Sequence, residues 1–401
     1  MSKPDLRFNM PLASAGATSP LPWLLVSATA LLVIGVVMIA SASVDIAAQM
    51  TGNSFYFMTR QLVYAGLGCA VALGIANVPL AWWERSGWLM LGIGLLALVL
   101  VLTPFGHTVN GSTRWIPLGL FNVQVSEVTK ICLIAYLAGY VVRRREELVH
   151  TWSGFLKPLL VLGLASTLLV MQPDFGATVV LMTAAMGMIF LSGVRLSRFM
   201  PLIGLTAVIG VLLVIFEPYR LKRVVSYLDP WQDQFNSGYQ LTQSLIAFGR
   251  GEWTGLGLGN SVQKLFFLPE AHTDFIFAII AEEFGLFGSL AVLALFAVLV
   301  TVGFVIARLA ERDGMPFAAC FAYGLTLLVG LQAAINMGVS TGLLPTKGLT
   351  LPLVSYGGSS LLANCVIIGV LARIEMERQD LRQQATGDGK SKRQGDARYV
   401  D

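Results

Sequence analysis

His272-Thr-Asp274-Phe-Ile-Phe-Ala-Ile-Ile-Ala-Glu282-Glu283-Phe-Gly-Leu-Phe-Gly-Ser-Leu-Ala-Val-Leu-Ala-Leu-Phe-Ala-Val-Leu-Val-Thr-Val-Gly-Phe-Val-Ile-Ala307 is the stretch whose reading decides the fold. About 20 apolar residues cross a bilayer. This run is much longer, so it predicts a spanning helix that tilts or extends beyond the membrane. Charges inside a span cost about 2.5–3.5 kcal/mol on insertion scales and therefore face a cavity or a partner. The run carries three: Asp274 at its start, then Glu282 and Glu283 two to three turns deeper.

Similar runs recur on both sides, at 20–43, 62–80, 86–104, 124–142, 155–171, 176–193, 196–217, 316–340 and 352–373. Of the 401 residues 55% are hydrophobic and only 12% charged, against about 25% charged in soluble domains. This composition excludes a soluble enzyme, a disordered chain and a disulfide scaffold. The net charge of +4 is too small to argue for nucleic acid. Cys69, Cys132, Cys320 and Cys365 all fall within apolar runs, without metal-ligand spacing. The expected fold is an all-α polytopic membrane protein of ten transmembrane helices. Its parts are an N-terminal segment 1–19, a membrane domain 20–373 and a polar tail 374–401.

Ten spans put both ends on one side. With that side cytoplasmic, 18 of the 27 basic residues face inward, most clearly Arg143–Arg145, as the positive-inside rule requires. The first apolar run exceeds the 7–15 residues of a cleaved signal and reads as an uncleaved helix. The tail reads as a helix leaving the membrane, followed by a disordered, solvated end.

On this topology the long loop 218–270, between the seventh and eighth spans, is external, as is 105–123. The long loop is rich in aromatic residues, and Tyr239–Phe248 reads as a short amphipathic helix in the interface. Glycines at 238, 249, 251, 255, 257 and 259 mark it as the moving part. Glu127 and Lys130 lie three apart on one helix face, close enough to pair. Asp174 sits in the turn Gln172-Pro173-Asp174-Phe175-Gly176. Glu127, Lys130, Asp174 and Asp274 thus reach similar depth near the outer face and predict a polar cleft open outward. The bland alternatives are a structural Glu127–Lys130 tie, a turn or capping role for Asp174, and a hydrogen-bonded neighbour role for His272. The segment 341–360, with Lys347 and Ser355, is rich in glycine, proline and hydroxyl residues. Broken backbone at this depth must be covered by protein or reached by water, and the segment is expected to line the same cleft. Gly255-Leu-Gly257-Leu-Gly259 lacks the context of a nucleotide loop. From the residues alone, an outer-face polymerase and a lipid transporter remain nearly even.

Five separate motifs break that tie: Asn110-Gly-Ser-Thr-Arg114-Trp-Ile116, Gln172–Gly176, Tyr239–Arg250, Leu268–Phe277 and Leu344–Ser360. Together they resemble the SEDS family (shape, elongation, division, sporulation), bacterial membrane glycosyltransferases that polymerise lipid II. The resemblance covers about residues 20–380. Gly259–Leu265 and Glu270–His272 look like the division rather than the elongation member.

The resemblance implies a peptidoglycan polymerase in the inner membrane at the division site. It implies a class B penicillin-binding (FtsI-like) transpeptidase and other division-complex membrane proteins as partners. Asp274 matches the family's essential aspartate, and Glu127 and Lys130 match a pair lining its cavity. Asp274 has two candidate roles: general base, or ligand of a divalent cation such as Mg²⁺ or Mn²⁺ held against a pyrophosphate. Arg220, Lys222, Arg223, Arg250, Lys264 and Lys347 are candidates for clamping that pyrophosphate. Arg114, Asp174, His272 and Ser355 complete the expected cavity. No nucleotide is expected. A lipid II flippase and a non-catalytic division scaffold are the rival readings.

Overall fold

The computed structural model describes residues 19–396, apart from 110–111, 118–121, 217–226, 228, 237 and 346–347. Thirteen helices and one small sheet are described, in the order α1 (Leu21–Thr51), α2 (Tyr56–Ala76), α3 (Leu80–Arg85), α4 (Gly87–Val101), β1 (His107–Val109), β2 (Ser112–Pro117), β3 (Asn122–Gln124), α5 (Val125–Arg143), α6 (Arg145–His150), α7 (Trp152–Met171), α8 (Phe175–Leu191), α9 (Leu196–Ile215), α10 (Tyr239–Gly251), α11 (Ile276–Arg312), α12 (Pro316–Ser340) and α13 (Gly358–Asp396). Among the described residues seven helices are long and apolar enough to cross a bilayer: α1, α2, α5, α7, α11, α12 and α13. The apolar α4 and α8 are shorter, and α9 adds a further 20 residues.

The burial pattern is that of a protein dissolved in lipid. The central helix α5 is covered nearly all round, and α12 and α13 are largely buried against their neighbours. Outer helices keep large apolar side chains exposed, such as Trp23, Val26 and Val33 on α1 and Leu89, Ile93 and Leu96 on α4. Lipid tails are as apolar as these side chains, so helices associate through close packing and polar contacts. Gly35 illustrates the first: a Cβ there would lie 2.7 Å from the Leu353 carbonyl oxygen, so glycine lets the α12–α13 connection press against α1.

Three local outcomes differ from the sequence expectation. First, the expected loop 105–123 contains a three-stranded antiparallel sheet, ordered β1-β2-β3, with Val109 opposite Ser112. Asn110-Gly111 between alternating β-formers is a strong hairpin signal, which the apolar-run reading passed over. Secondly, the last spanning helix begins at Gly358 rather than 352, because Val354 and Ser355 both donate their N–H groups to the Leu351 carbonyl in a turn. Thirdly, the tail remains helical to Asp396 where disorder is expected. Intrahelical pairs brace its first turns, Arg378 with Glu375 at 2.7 Å and Arg373 with Glu377 at 2.7 Å. Arg378 and Arg382 also hold Asp313 at the α11–α12 turn, at 2.9 and 2.6 Å.

The eighth expected span, α11, runs from Ile276 to Arg312 but is broken at Gly285, whose φ of 65° and ψ of −159° leave the helical region. Glycine adopts this conformation without the clash a Cβ would bring. The break divides α11 into a short outer half that follows Asp274 and a long inner half.

Candidate active site

Asp274 lies two residues ahead of α11, at the end of a turn in which Thr273, Asp274 and Phe275 all donate N–H groups to the Glu270 carbonyl. The α12–α13 connection closes over it. A Cβ on Gly348 would stand 3.3 Å from Asp274 Oδ2. Asn336 of α12 donates from Nδ2 to the Asp274 carbonyl at 2.8 Å and to the Leu349 carbonyl at 2.5 Å. Burial pushes the Asp274 carboxyl up to about 7. The nearby negative charges of Glu270 and Asp174 push the same way, and Arg114 opposes them. A carboxylate titrating near neutrality suits a general base, whose best pKa lies near the working pH.

Arg114 comes from β2. Its Nε donates to the Gln172 carbonyl at 3.2 Å, its Nη2 to the Pro173 carbonyl, and its Nη1 lies 3.8 Å from Asp174 Oδ1. The sheet therefore carries Arg114 across to the α7–α8 turn. Asp174 caps α8 by accepting from Ala177 N–H at 3.2 Å, which fulfils the capping reading. Its other oxygen, Oδ2, is buried and has no hydrogen-bond partner. Buried polar atoms are normally satisfied, so Asp174 both caps a helix and presents an unused acceptor.

Glu127 and Lys130 form the expected pair: Lys130 Nζ is 3.0 Å from Glu127 Oε1, and both are buried. Lys130 also donates to Gln332 Oε1 at 2.7 Å, and Gln332 Nε2 donates to the Thr350 carbonyl at 3.1 Å. The pair lines a small cavity of about 10 Å³ with Asn364, close to the space one water needs. Gln332 and Asn336 are four apart on one face of α12. They lace the Glu127–Lys130 pair and Asp274 to the same connecting segment, 348–350. The sequence reading passed over both, although polar residues in an apolar span are a detectable signal.

The other predicted residues distribute differently. His272 is not a hydrogen-bonded neighbour of Asp274. Its ring packs on Phe57 and Tyr356 at 4.9 and 5.8 Å, and its Nδ1 is buried without a partner. Burial lowers its pKa, against the pull of Glu270, and favours neutral imidazole. The Ser355 hydroxyl is taken up by Leu351 N–H at 2.7 Å, a turn-forming contact. Arg250 and Lys264, expected to clamp phosphate, turn toward buried acids: Arg250 Nε is 3.4 Å from Glu282 Oε1, and Lys264 Nζ is 3.0 Å from Glu283 Oε1. Arg220, Lys222, Arg223 and Lys347 lie outside the described residues. Among the described residues no group of three or more His, Cys, Asp or Glu could hold a metal ion. A cavity of about 670 Å³ beside α1 and residues 258–265 is lined by Ser41 and Lys264 among others, and not by Asp274.

A bent helix, a broken connecting segment, the buried Asp174 and the half-buried Asp274 and Glu270 describe a polar site built into a membrane bundle. The family model described as cell cycle protein, that of FtsW, RodA and SpoVE, matches residues 22–380. The chain belongs to this family. A probable peptidoglycan glycosyltransferase FtsW of Marinobacter nauticus is 74% identical over 385 residues, covering 96% of each chain. A second, of Hahella chejuensis, is 57% identical and covers 93% of this chain and 94% of its own. Among solved structures, a chain from work on the structural coordination of polymerization and crosslinking by a peptidoglycan synthase complex aligns with a TM-score of 0.73 at 28% identity. That match covers 88% of this chain and 97% of the other. The rod shape determining protein RodA of Thermus thermophilus aligns at 0.66 and 26% identity, covering 88% and 96%. The family assignment thus agrees with the resemblance carried by the five motifs.

Proposed function

We propose that the chain polymerises peptidoglycan glycan strands from lipid II during cell division. The carrying observation is a carboxylate, Asp274, held at the head of a broken helix under the α12–α13 connection, with Gly348 beside its Oδ2 and Asn336 on its carbonyl, in a family whose similar members are named peptidoglycan glycosyltransferases. The acceptor sugar hydroxyl attacks the anomeric carbon of the donor disaccharide. The bond from that carbon to the pyrophosphate oxygen breaks, polyprenyl pyrophosphate leaves, and Asp274 takes the hydroxyl proton. Arg114 steadies the α7–α8 turn beside the base and moderates the negative potential from Asp174 and Glu270. Glu127, Lys130 and Gln332 hold the segment 348–350 against Asp274 from the other side.

The reading places ten spans in the inner membrane with both ends cytoplasmic and Asp274 at the outer face. Arg220, Lys222, Arg223 and Lys347 are the proposed clamp on the leaving pyrophosphate. In the alternative to the base role, Asp274 would offer a single carboxylate, which suits Mg²⁺ or Mn²⁺ arriving on a pyrophosphate better than a resident ion caged by protein, and the cation would supply neutralisation of leaving-group charge. The proposed partner is a class B penicillin-binding transpeptidase of the division complex.

The test is strand formation from labelled lipid II by the detergent-purified complex with that transpeptidase, as wild type and as Asp274→Ala. Long strands from wild type only support the reading. Lipid flipping in sealed vesicles, without strands from either protein, would refute it in favour of a transporter.

A further inference from the structure

Glu282 and Glu283 are completely buried, yet they do not face Asp274. Both turn back toward the loop that follows α10. Glu282 accepts hydrogen bonds from the Ser261 hydroxyl, from Val262 N–H at 3.2 Å and from Gln263 N–H at 3.2 Å. Glu283 accepts from the Ser41 hydroxyl of α1 at 2.6 Å and from Lys264 Nζ at 3.0 Å. Lys264 Nζ also donates to Ser41 Oγ at 3.1 Å and to the Gly259 carbonyl at 2.7 Å.

The backbone repeats the connection. Breaking α11 at Gly285 frees carbonyls before the break and N–H groups after it, which lipid cannot satisfy. The loop supplies the missing partners. Leu256 and Gly257 donate to the Glu282 and Glu283 carbonyls at 3.0 and 2.9 Å, while Leu286 and Phe287 donate to the Glu252 and Trp253 carbonyls at 2.9 and 3.2 Å. Gly255 and Gly257, with φ of 78° and 92°, permit the tight path this requires. Of the loop glycines, Gly255 and Gly257 thus serve this turn.

The outer half of α11 is therefore a short rod with Asp274 at one end and two anchored carboxylates at the other. We infer that Glu282, Glu283, Ser41 and Lys264 form a latch that positions Asp274, with Lys264 a positioning residue rather than a phosphate clamp. At 1.5 Å per residue the rod is about 12 Å long. A tilt of roughly 5° at the latch moves Asp274 by about 1 Å, and a misplacement of that size can cost on the order of 100-fold in rate. This inference rests on the reading of Asp274 as the base.

The experiment uses the same transpeptidase complex, with Lys264→Met, Lys264→Arg and the milder Ser41→Ala beside wild type and Asp274→Ala. Elution profile and Tm report folding. Lys264→Met is expected to lower kcat at least tenfold with KM for lipid II within twofold, and Lys264→Arg to recover most of the rate. Ser41→Ala is expected to lower kcat severalfold. The acid limb of the pH–rate profile should move to lower pH in Lys264→Met and Ser41→Ala. A loosened rod admits water to Asp274, which faces Glu270 from its own turn, Arg114 from β2 and Asp174 from the head of α8. A purely structural role would reduce the amount of folded complex and leave the limb in place. A wild-type kcat and pH profile in folded Lys264→Met or in Ser41→Ala would overturn the latch. So would a rise in KM at unchanged kcat, which would return Lys264 to the substrate. Absence of strands from wild type would instead refute the polymerase reading itself.

Discussion

The pH dependence of strand formation tests the chemistry at Asp274 directly. An ordinary aspartate, with a pKa of about 3.9, would be ionised throughout the neutral range, and a base of that kind would give a flat profile from pH 6 to 8. In this fold burial raises the carboxyl to about 7, with Glu270 and Asp174 adding to the rise. Only the ionised form accepts a proton. About one-tenth of the molecules carry it at pH 6 and about nine-tenths at pH 8, so the rate should increase roughly tenfold across that interval. Neighbours set the sign of each further shift. Removing the negative charge in Glu270→Gln lowers the Asp274 pKa and moves the limb to lower pH. Removing the positive charge in Arg114→Gln raises it and moves the limb to higher pH. The assay is initial strand formation from labelled lipid II at saturating substrate, with the complex shown to be intact at each pH. A flat profile from pH 6 to 8, or limbs that move opposite to these signs, would refute the general-base role.

Breaking the buried Glu127–Lys130 pair by Lys130→Met should cost about 3–5 kcal/mol, because an uncompensated charge stays buried. The double change Glu127→Leu with Lys130→Met should recover much of that loss in thermal unfolding in detergent. Gly285→Ala should lower Tm and expel the loop from the break, since a Cβ there would lie 2.6 Å from the Trp253 carbonyl oxygen. Increased protease cleavage within 252–264 would register the release. Arg378→Ala leaves Glu375 buried without its guanidinium, again at about 3–5 kcal/mol. It should loosen the α13 extension from Asp313, as read by cysteine accessibility along 374–384.

The membrane class, the approximate position of most helices and the Glu127–Lys130 pair were legible because each depends on neighbours in sequence. Apolar run length is set by bilayer thickness, and residues three apart share a helix face whatever surrounds them. The five motifs likewise pointed to the family and singled out Asp274 without coordinates. What Lys264 and Arg250 do was not legible. A loop lysine in a polar external segment fits a phosphate clamp as well as a buried partner, and only folding brings Ser41 to Glu283 across 242 positions. The helix break at Gly285 was hidden for the same reason: one glycine in an apolar run is tolerated in a membrane helix, and its departure from helical geometry depends on a distant loop being present to satisfy the freed backbone. Composition and local spacing thus determined that this chain is a helical membrane protein with acids buried near one end. Tertiary structure decided how the three acids of that run are placed: Glu282 and Glu283 are taken up by Ser41, Lys264 and the backbone of 262–263, and Asp274 lies under the α12–α13 connection, because each of these partners is remote in sequence.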